Sequence, residues 1–222
     1  MRHSCRSAWY HHVLPNRTVR ITEFHRLLRR FVMATGRLRA KLTMDGADDW
    51  HQCMPREGDF TTRWFDHDAP VWFHYFAADR TRIERCLEVG TWEGRSLLFT
   101  AQLFGRASLT CIDTFGSEDV SELERRFTRN TAAISDRLTI LKGTSFERLA
   151  QLLKPGDELF DFAYIDGTHF FRHVLTDTML VWPLLREGGI LVWDDYLWTR
   201  QAYGKFRSKA AIDFFLDMYE GD

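Results

Sequence analysis

The chain has 222 residues, of which 45% are hydrophobic and 27% are charged, and a formal net charge of −1, values typical of a globular protein that exclude general disorder. No apolar run approaches the roughly 18 residues that a membrane-spanning helix needs, and His and Arg interrupt the N-terminal region, so we expect neither a transmembrane segment nor a signal peptide. The four cysteines form no CxxC pair, which predicts reduced thiols in a cytoplasmic protein.

Residues 1–41 are strongly basic, with ten Lys or Arg residues and one acid, Glu23. Five apolar residues in this segment recur at the spacing of a helix with one apolar face: Phe24, Leu27, Leu28, Phe31 and Val32. Such a helix could bind an anionic membrane surface or nucleic acid, act in targeting, or pack on the acidic remainder of the chain or on a second subunit. We favour packing and expect no nucleic-acid partner, because no aromatic residues alternate with the basic ones.

Residues 42–84 are rich in aromatic residues and are punctuated by Gly and Pro, which predicts short helices and turns. From residue 84 onward, apolar runs of four to six residues alternate with helical patterns. The runs are 86–89, 109–112, 138–141, 160–165 and 190–193, and the helical patterns are 95–105, 118–135, 145–153, 171–186 and 206–219. This alternation predicts an α/β, doubly wound fold, in which a mostly parallel sheet has helices on both faces.

Ligands of such sheets bind beyond the carboxyl ends of the strands, and four of the five runs are followed there by a carboxylate. The first run ends in Glu88-x-Gly90-x-x-x-Gly94, and a helix begins near Ser96. Glycines at these positions allow a tight turn, and a helix N-terminus favours a carboxylate or phosphate group. The spacing is neither GxGxxG nor that of a P-loop, which disfavours a dinucleotide or triphosphate site.

The second and third runs are followed by residues that could bind a nucleoside. Asp113 lies 23 residues after Gly90, and an acid at that distance can accept hydrogen bonds from both ribose hydroxyls, although it could instead cap the next segment. Ser145 could bind an adenine edge or cap the following helix. Each capping alternative is plausible alone, but the joint occurrence at successive strand ends indicates one site.

Four motifs follow one another along the chain: Cys86-Leu-Glu-Val-Gly-Thr-Trp-Glu-Gly-Arg-Ser96, Thr110-Cys-Ile-Asp-Thr-Phe115, Tyr164-Ile-Asp-Gly-Thr-His169 and Trp193-Asp-Asp-Tyr196. With them, the chain from residue 60 to about residue 219 resembles the class I S-adenosylmethionine-dependent methyltransferases, in particular the bacterial macrocin-type O-methyltransferases. The resemblance implies a Rossmann-like methyltransferase domain over residues 60–222. Residues 1–59 lie outside it as a basic, helical N-terminal extension.

The resemblance also implies where S-adenosylmethionine binds. The turn at Gly90 would hold the methionine part of the cofactor. The other implied cofactor contacts are Glu88, Thr91, Gly94, Ser96 for the carboxylate, Asp113 for the ribose, Ser145 for the adenine side, and Asp166.

Asp166, Asp194 and Asp195 follow the fourth and fifth runs and are expected to converge. Facing carboxylates raise one another's pKa unless a cation neutralises them, and Mg²⁺ fits three aspartates better than Zn²⁺ does. The set resembles the metal site of catechol-type O-methyltransferases, where a lysine base lies three residues after the first aspartate. His169 occupies that position here and could be the base, a metal ligand or a loop-carbonyl partner. We predict His169 and Asp166 as catalytic residues, although Asp194 and Asp195 could instead be a helix cap and a solvated acid.

The predicted function is O-methylation of a small-molecule or glycosylated acceptor. The acceptor would lie beneath the aromatic segment 42–76 and the loop 196–206, where Trp72, Trp198 and Tyr203 could flank it or could only cover the sheet. The alternatives are a catalytically silent S-adenosylmethionine-binding module, whose basic helix binds a partner or a membrane, and a metal-dependent hydroxylase on the same scaffold.

Relatives in this family continue past the last helix into an antiparallel pair of strands, for which residues 211–222 carry no pattern. We expect that this pair is missing, or that the N-terminal segment or a partner replaces it. An uncovered fifth strand would expose an apolar edge. We therefore expect a homo-oligomer or a chain of low stability.

Overall fold

A computed structural model of the chain describes residues 9–12, 17–21, 47–116, 121–153, 159–196 and 208–220. Within these ranges one sheet has the strand order β1-β2-β7-β6-β3-β4-β5. The strands are β1 (Trp9–His12), β2 (Arg17–Ile21), β3 (Arg85–Val89), β4 (Ser108–Asp113), β5 (Leu138–Lys142), β6 (Phe160–Ile165) and β7 (Leu185–Trp193). Strands β3 to β7 pair in parallel, β2 is parallel to β7, and β1 is antiparallel to β2.

Helices cover both faces of the sheet. The α-helices in the described ranges are α1 (Ala69–Phe76), α2 (Arg95–Leu103), α3 (Glu122–Thr131), α4 (Ser145–Leu152), α5 (Phe171–Val181) and α6 (Ser208–Glu220). Short 3-10 helices span Ala47–Gln52, Trp64–His67, Ala77–Asp79, Ala132–Arg137 and Trp182–Leu184. None of the helices in the described part of the chain combines the length and the apolar character needed to cross a bilayer.

The predicted doubly wound, mostly parallel α/β fold is confirmed. Each of the five apolar runs forms a strand, from β3 to β7, and the helical patterns between them form helices. The physical reason is burial, because every residue of β6 and nearly every residue of β3 is buried. A strand covered on both faces needs apolar residues at consecutive positions rather than at alternate ones.

Trp72 lies in the core between α1 and the sheet. Its side chain is 2% exposed, and its ring packs edge-on against Tyr164 and Phe162 of β6, with centroids 4.7 and 5.3 Å apart. The expectation that Trp72 flanks an acceptor is therefore wrong, because no face of its ring is accessible. Trp198 and Tyr203 lie outside the described residues. On the opposite face of the sheet, α4, α5 and α6 form a second apolar core.

The N-terminal segment forms the edge of the sheet next to β7. Arg20 and Ile21 of β2 pair with Ile190 and Leu191 of β7, and β1 pairs with β2 as an antiparallel hairpin. The N-terminal hairpin therefore lies beside β7, where the C-terminal pair of strands was expected. Because β2 covers the edge of β7, an exposed apolar edge no longer argues for self-association. The predicted helix around residues 24–32 lies outside the described residues, and the domain boundary at residue 60 stays a prediction.

Candidate active site

The loop after β3 lies directly against the loop after β6. The Gly90 N–H donates a hydrogen bond to the Ile112 carbonyl at 2.8 Å, and the Asp166 N–H donates to the Val89 carbonyl at 2.8 Å. Gly90 has a φ of +82°. A Cβ at this position would overlap the Asp166 carbonyl group and lie 2.6 Å from the Cα of Gly167. Glycine is required here for its backbone conformation and for the close approach of the two loops.

Asp113, at the end of β4, holds the loop after β3 in place. Its carboxylate accepts hydrogen bonds from the backbone N–H groups of Thr91 at 2.8 Å, Trp92 at 2.9 Å and Phe115 at 2.8 Å. Trp92 and Phe115 have φ values of +49° and +53°, an uncommon conformation for bulky residues that these bonds stabilise. The structure places Asp113 against the loop after β3, which is the predicted cofactor loop. The hydrogen-bond donors to Asp113 in the structure are backbone amides.

The same loop ends at Gly94, the N-cap of α2 with a φ of +83°. Two residues later, Ser96 Oγ donates a hydrogen bond to Glu88 Oε1 at 2.8 Å, and both side chains are buried. Burial raises the pKa of Glu88 to about 8, although the hydrogen bond from Ser96 acts in the opposite direction. Ser96, the predicted partner of the cofactor carboxylate, is thus bonded to Glu88, which is largely protonated at neutral pH.

Because the pKa of Glu88 is raised, we expect its contribution to the stability of the fold to decrease as the pH rises. A carboxyl group whose pKa rises from 4.5 in the unfolded chain to about 8 in the folded one stabilises the fold below pH 4.5. This contribution is lost as the pH rises through 8, because the unfolded chain then releases the proton more readily. We expect Glu88→Gln to gain stability relative to wild type between pH 5 and pH 9, with Tm rising by about 2–4 °C for each kcal/mol gained. Thermal unfolding across this range measures the difference.

Glu187→Gln is the matched control for this experiment, because Glu187 lies on β7 with an exposed side chain. Its Tm difference from wild type should not change with pH. Parallel pH profiles for wild type and Glu88→Gln would contradict the prediction.

Ser145 is the first residue of α4 and contacts an acid that the sequence analysis missed. The helix is capped by Thr144, whose side chain accepts a hydrogen bond from the Glu147 N–H, so Ser145 is not the cap. The Ser145 hydroxyl is hydrogen-bonded to Asp177 of α5, and burial raises the pKa of this acid to about 6. The carboxylate also lies near Gly167 in the loop after β6. Asp177 could have been noticed as an acid on the apolar face of α5, beside Val174 and Val181.

Three aspartates gather where β6 and β7 end. Asp166 and Asp194 are hydrogen-bonded through their carboxyl groups, and burial together with the charge of Asp194 raises the pKa of Asp166 well above its usual range. Asp195 has a φ of +53°, and its Oδ2 lies 3.1 Å from His169 Nε2. Burial and the charge of Asp194 raise the pKa of Asp195, whereas His169 and His67 lower it. The residues predicted for metal binding and catalysis are therefore neighbours.

The chemistry of this donor set fits a hard cation. Burial and the neighbouring charge of Asp194 raise the pKa of Asp166, and a divalent cation that bound both carboxyl groups would offset their repulsion. The side chain of Asp195 faces His169 instead. Consistent with that orientation, no three His, Cys, Asp or Glu side chains in the described ranges have the geometry of a metal site.

A second wall of the site comes from residues 60–68, which belong to the aromatic segment 42–76 that was predicted to cover the acceptor. The backbone N–H and the hydroxyl of Thr61 both donate to the Glu93 carboxylate at 2.7 Å. Arg95 forms a two-bond ion pair with Asp66, in which the second bond is 3.0 Å long. These contacts join the segment to the loop after β3. No local pattern indicates them, because the partners are about 30 residues apart in sequence.

Comparison with known proteins agrees with this architecture. A family model described as a methyltransferase domain matches residues 87–196, which contain β4 to β7, most of β3 and the loops that follow these strands. The chain belongs to the class I S-adenosylmethionine-dependent methyltransferases, and it is similar to the macrocin-type group.

Three relatives illustrate the similarity. A curated mycinamicin VI 2''-O-methyltransferase from Micromonospora griseorubida is 28% identical over 143 residues, which are 61% of this chain and 32% of that protein. The O-methyltransferase TomG from Streptomyces achromogenes, solved with S-adenosylmethionine, has a TM-score of 0.56 at 17% identity over 83% of each chain. The methyltransferase MycE, solved with Mg and S-adenosylhomocysteine, has a TM-score of 0.50 at 24% identity over 73% of this chain and 45% of its own. The chain thus spans about a third of the length of the curated relative.

Proposed function

We propose that the chain transfers the methyl group of S-adenosylmethionine to a hydroxyl of a small-molecule or glycosylated acceptor, and that Mg²⁺ assists the transfer. One observation carries this proposal: Asp166 belongs to both halves of the site. Its backbone packs against Gly90 in the cofactor loop, and its carboxyl group is hydrogen-bonded to Asp194 in the carboxylate cluster. A methyl donor at the loop and an acceptor at the cluster would be neighbours, as transfer requires.

The names of the similar proteins support the finer parts of the proposal. The curated relative is named for methylating a 2''-hydroxyl of mycinamicin VI, and MycE was solved with Mg and S-adenosylhomocysteine. The acceptor of this chain is proposed as a class and not as either of these molecules.

Bound S-adenosylmethionine would supply an electrophilic methyl group on a positively charged sulfur. The loop from Gly90 to Gly94 would hold it, with Asp113 as a hydrogen-bond acceptor. Glu88 and Asp113 suit such a ligand, because acidic groups near a cation are stabilised in their charged form.

At the carboxylate cluster, Asp166 and Asp194 would hold Mg²⁺, which favours the deprotonated form of an acceptor hydroxyl, whereas Asp195, the third predicted ligand, would act on His169. His169 would take the hydroxyl proton. The Asp195 carboxylate, 3.1 Å from His169 Nε2, would then stabilise the positively charged imidazole ring.

Calorimetric titration with S-adenosylhomocysteine, in Mg²⁺ and in EDTA, tests the cofactor site. We expect one saturable site per chain in both conditions, because the glycine loop and Asp113 do not need the cation. Asp113→Asn should weaken binding by about tenfold or more, since it replaces a charged acceptor at the loop.

Asp136→Asn is the control, because Asp136 is exposed in the 3-10 helix Ala132–Arg137 and should leave the affinity unchanged. If the folded wild-type chain gives neither heat nor a rise in Tm with S-adenosylhomocysteine, the proposal is wrong.

A further inference from the structure

Two tryptophans at the site are exposed to solvent. The side chains of Trp64 and Trp92 are 66% and 45% exposed, whereas those of Trp72 and Trp193 are 2% exposed in the cores. The rings of Trp64 and Trp92 contact one another, with centroids 5.9 Å apart and planes inclined by 34°. Exposed apolar surface of this kind beside a polar site is typical of ligand contact.

Both tryptophans are held on rigid supports. Trp92 belongs to the cofactor loop, and its backbone N–H donates a hydrogen bond to Asp113 at 2.9 Å. Its φ is +49°. Trp64 opens the 3-10 helix Trp64–His67, which is attached to α2 by the Asp66–Arg95 ion pair. The open faces of the two rings are thus positioned before any ligand arrives, which lowers the entropy cost of binding.

The pair also lies next to the reaction centre. Trp92 belongs to the loop whose Gly90 packs against the backbone of Asp166, the first aspartate of the carboxylate cluster. Trp64 contacts Trp92. The two rings therefore border the cofactor loop beside that cluster.

We propose that Trp64 and Trp92 bind the sugar ring of a neutral glycosylated acceptor; this inference rests on the proposed function. A sugar ring has an apolar C–H face and a rim of hydroxyl groups. The indole rings would take the C–H face. The hydroxyls would then point toward His169 and Asp195, which donate and accept hydrogen bonds.

Two features favour a neutral sugar over other acceptors. Because the rings are 5.9 Å apart and already in contact, a flat aromatic molecule has no space to insert between them and could cover only one face. The aspartates of the cluster would repel an anionic acceptor.

Saturation-transfer NMR with methyl α-L-rhamnopyranoside as the probe tests this inference on the full chain saturated with S-adenosylhomocysteine. We expect the strongest transfer at the ring C–H protons. Trp64→Ala should weaken the binding of the rhamnoside about tenfold, Trp64→Phe should weaken it less, and neither should change the affinity for S-adenosylhomocysteine. Met179→Ala is the control, because Met179 is an exposed apolar residue near the C-terminal end of α5, whereas His169 precedes the N-terminal end of that helix.

The outcomes separate the two proposals. Rhamnoside binding that is absent, or that is unchanged in Trp64→Ala, overturns the sugar site. Preferential binding of catechol over the rhamnoside overturns it as well. If S-adenosylhomocysteine does not bind but rhamnoside binding depends on Trp64, the methyltransferase proposal fails and the sugar site stands.

Discussion

Asp194→Asn is expected to abolish methyl transfer and to leave the binding of S-adenosylhomocysteine unchanged. The substitution keeps the shape of the side chain next to Asp166 but removes a negative charge from the pair that would hold the cation. A metal ion stabilises the transition state by several kcal/mol, so its loss should lower the transfer rate at least about a hundredfold. Transfer of labelled methyl groups to methyl α-L-rhamnopyranoside or to catechol measures this loss.

Two further measurements make the result specific. The affinity for Mn²⁺, followed by electron paramagnetic resonance, should fall in Asp194→Asn even without an acceptor, whereas Asp136→Asn should behave as wild type in both assays. An Asp194→Asn chain that transfers methyl groups at the wild-type rate would show that the cluster has no part in the reaction. No transfer by any variant, with cofactor binding retained, would favour the alternative of a catalytically silent module.

Gly90→Ala is expected to destabilise the fold strongly, although it adds a single methyl group. The new Cβ would overlap the backbone carbonyl of Asp166, and the φ of +82° is unfavourable for alanine. We expect a loss of about 3 kcal/mol or more in the free energy of unfolding, equivalent to a fall of roughly 6–12 °C in Tm. S-adenosylhomocysteine binding should be lost too, because the loops after β3 and β6 must move apart.

Substitutions at two other glycines distinguish backbone strain from steric overlap as the cause of the lost stability. Gly188 has a φ of +74°, but no atom lies within 4 Å of the point that a Cβ would occupy, so Gly188→Ala should lose only about 1 kcal/mol through backbone strain. Gly105 has neither a positive φ nor a close neighbour, so Gly105→Ala should change Tm little. If Gly90→Ala is no less stable than Gly188→Ala, the close packing of the two loops is not a source of stability.

The prediction of the fold from sequence succeeded where local patterns are enough. Strands β3 and β6 are buried on both faces, so each appears in the sequence as a short continuous apolar run. The N-terminal hairpin was not predicted, because β1 and β2 have only four and five residues. Strand β2 is stabilised by pairing with β7, which is far away in sequence, and β1 by pairing with β2.

For the candidate site too, the sequence predicted the location of the residues but not their individual contacts. The carboxyl ends of parallel strands meet at one edge, so the sequence alone was enough to predict that Asp113, Asp166, Asp194 and Asp195 lie near the glycine loop. Their individual partners were not predictable. Ser96 is bonded to Glu88, and Ser145 is bonded to Asp177.

The sequence by itself therefore determined the order of β3 to β7 along the chain, the burial of β3 and β6 and the acidic character of one edge of the sheet, because these follow from residue type and spacing. The edge strand β5, predicted to be buried on both faces, is instead largely exposed. Only the tertiary structure decided that the N-terminal hairpin covers β7, that Trp72 is in the core and that Trp64 lies against Trp92 at the site. These features depend on which distant segments pack together. That choice is made by the free energy of the whole fold and leaves no periodic pattern in any one segment.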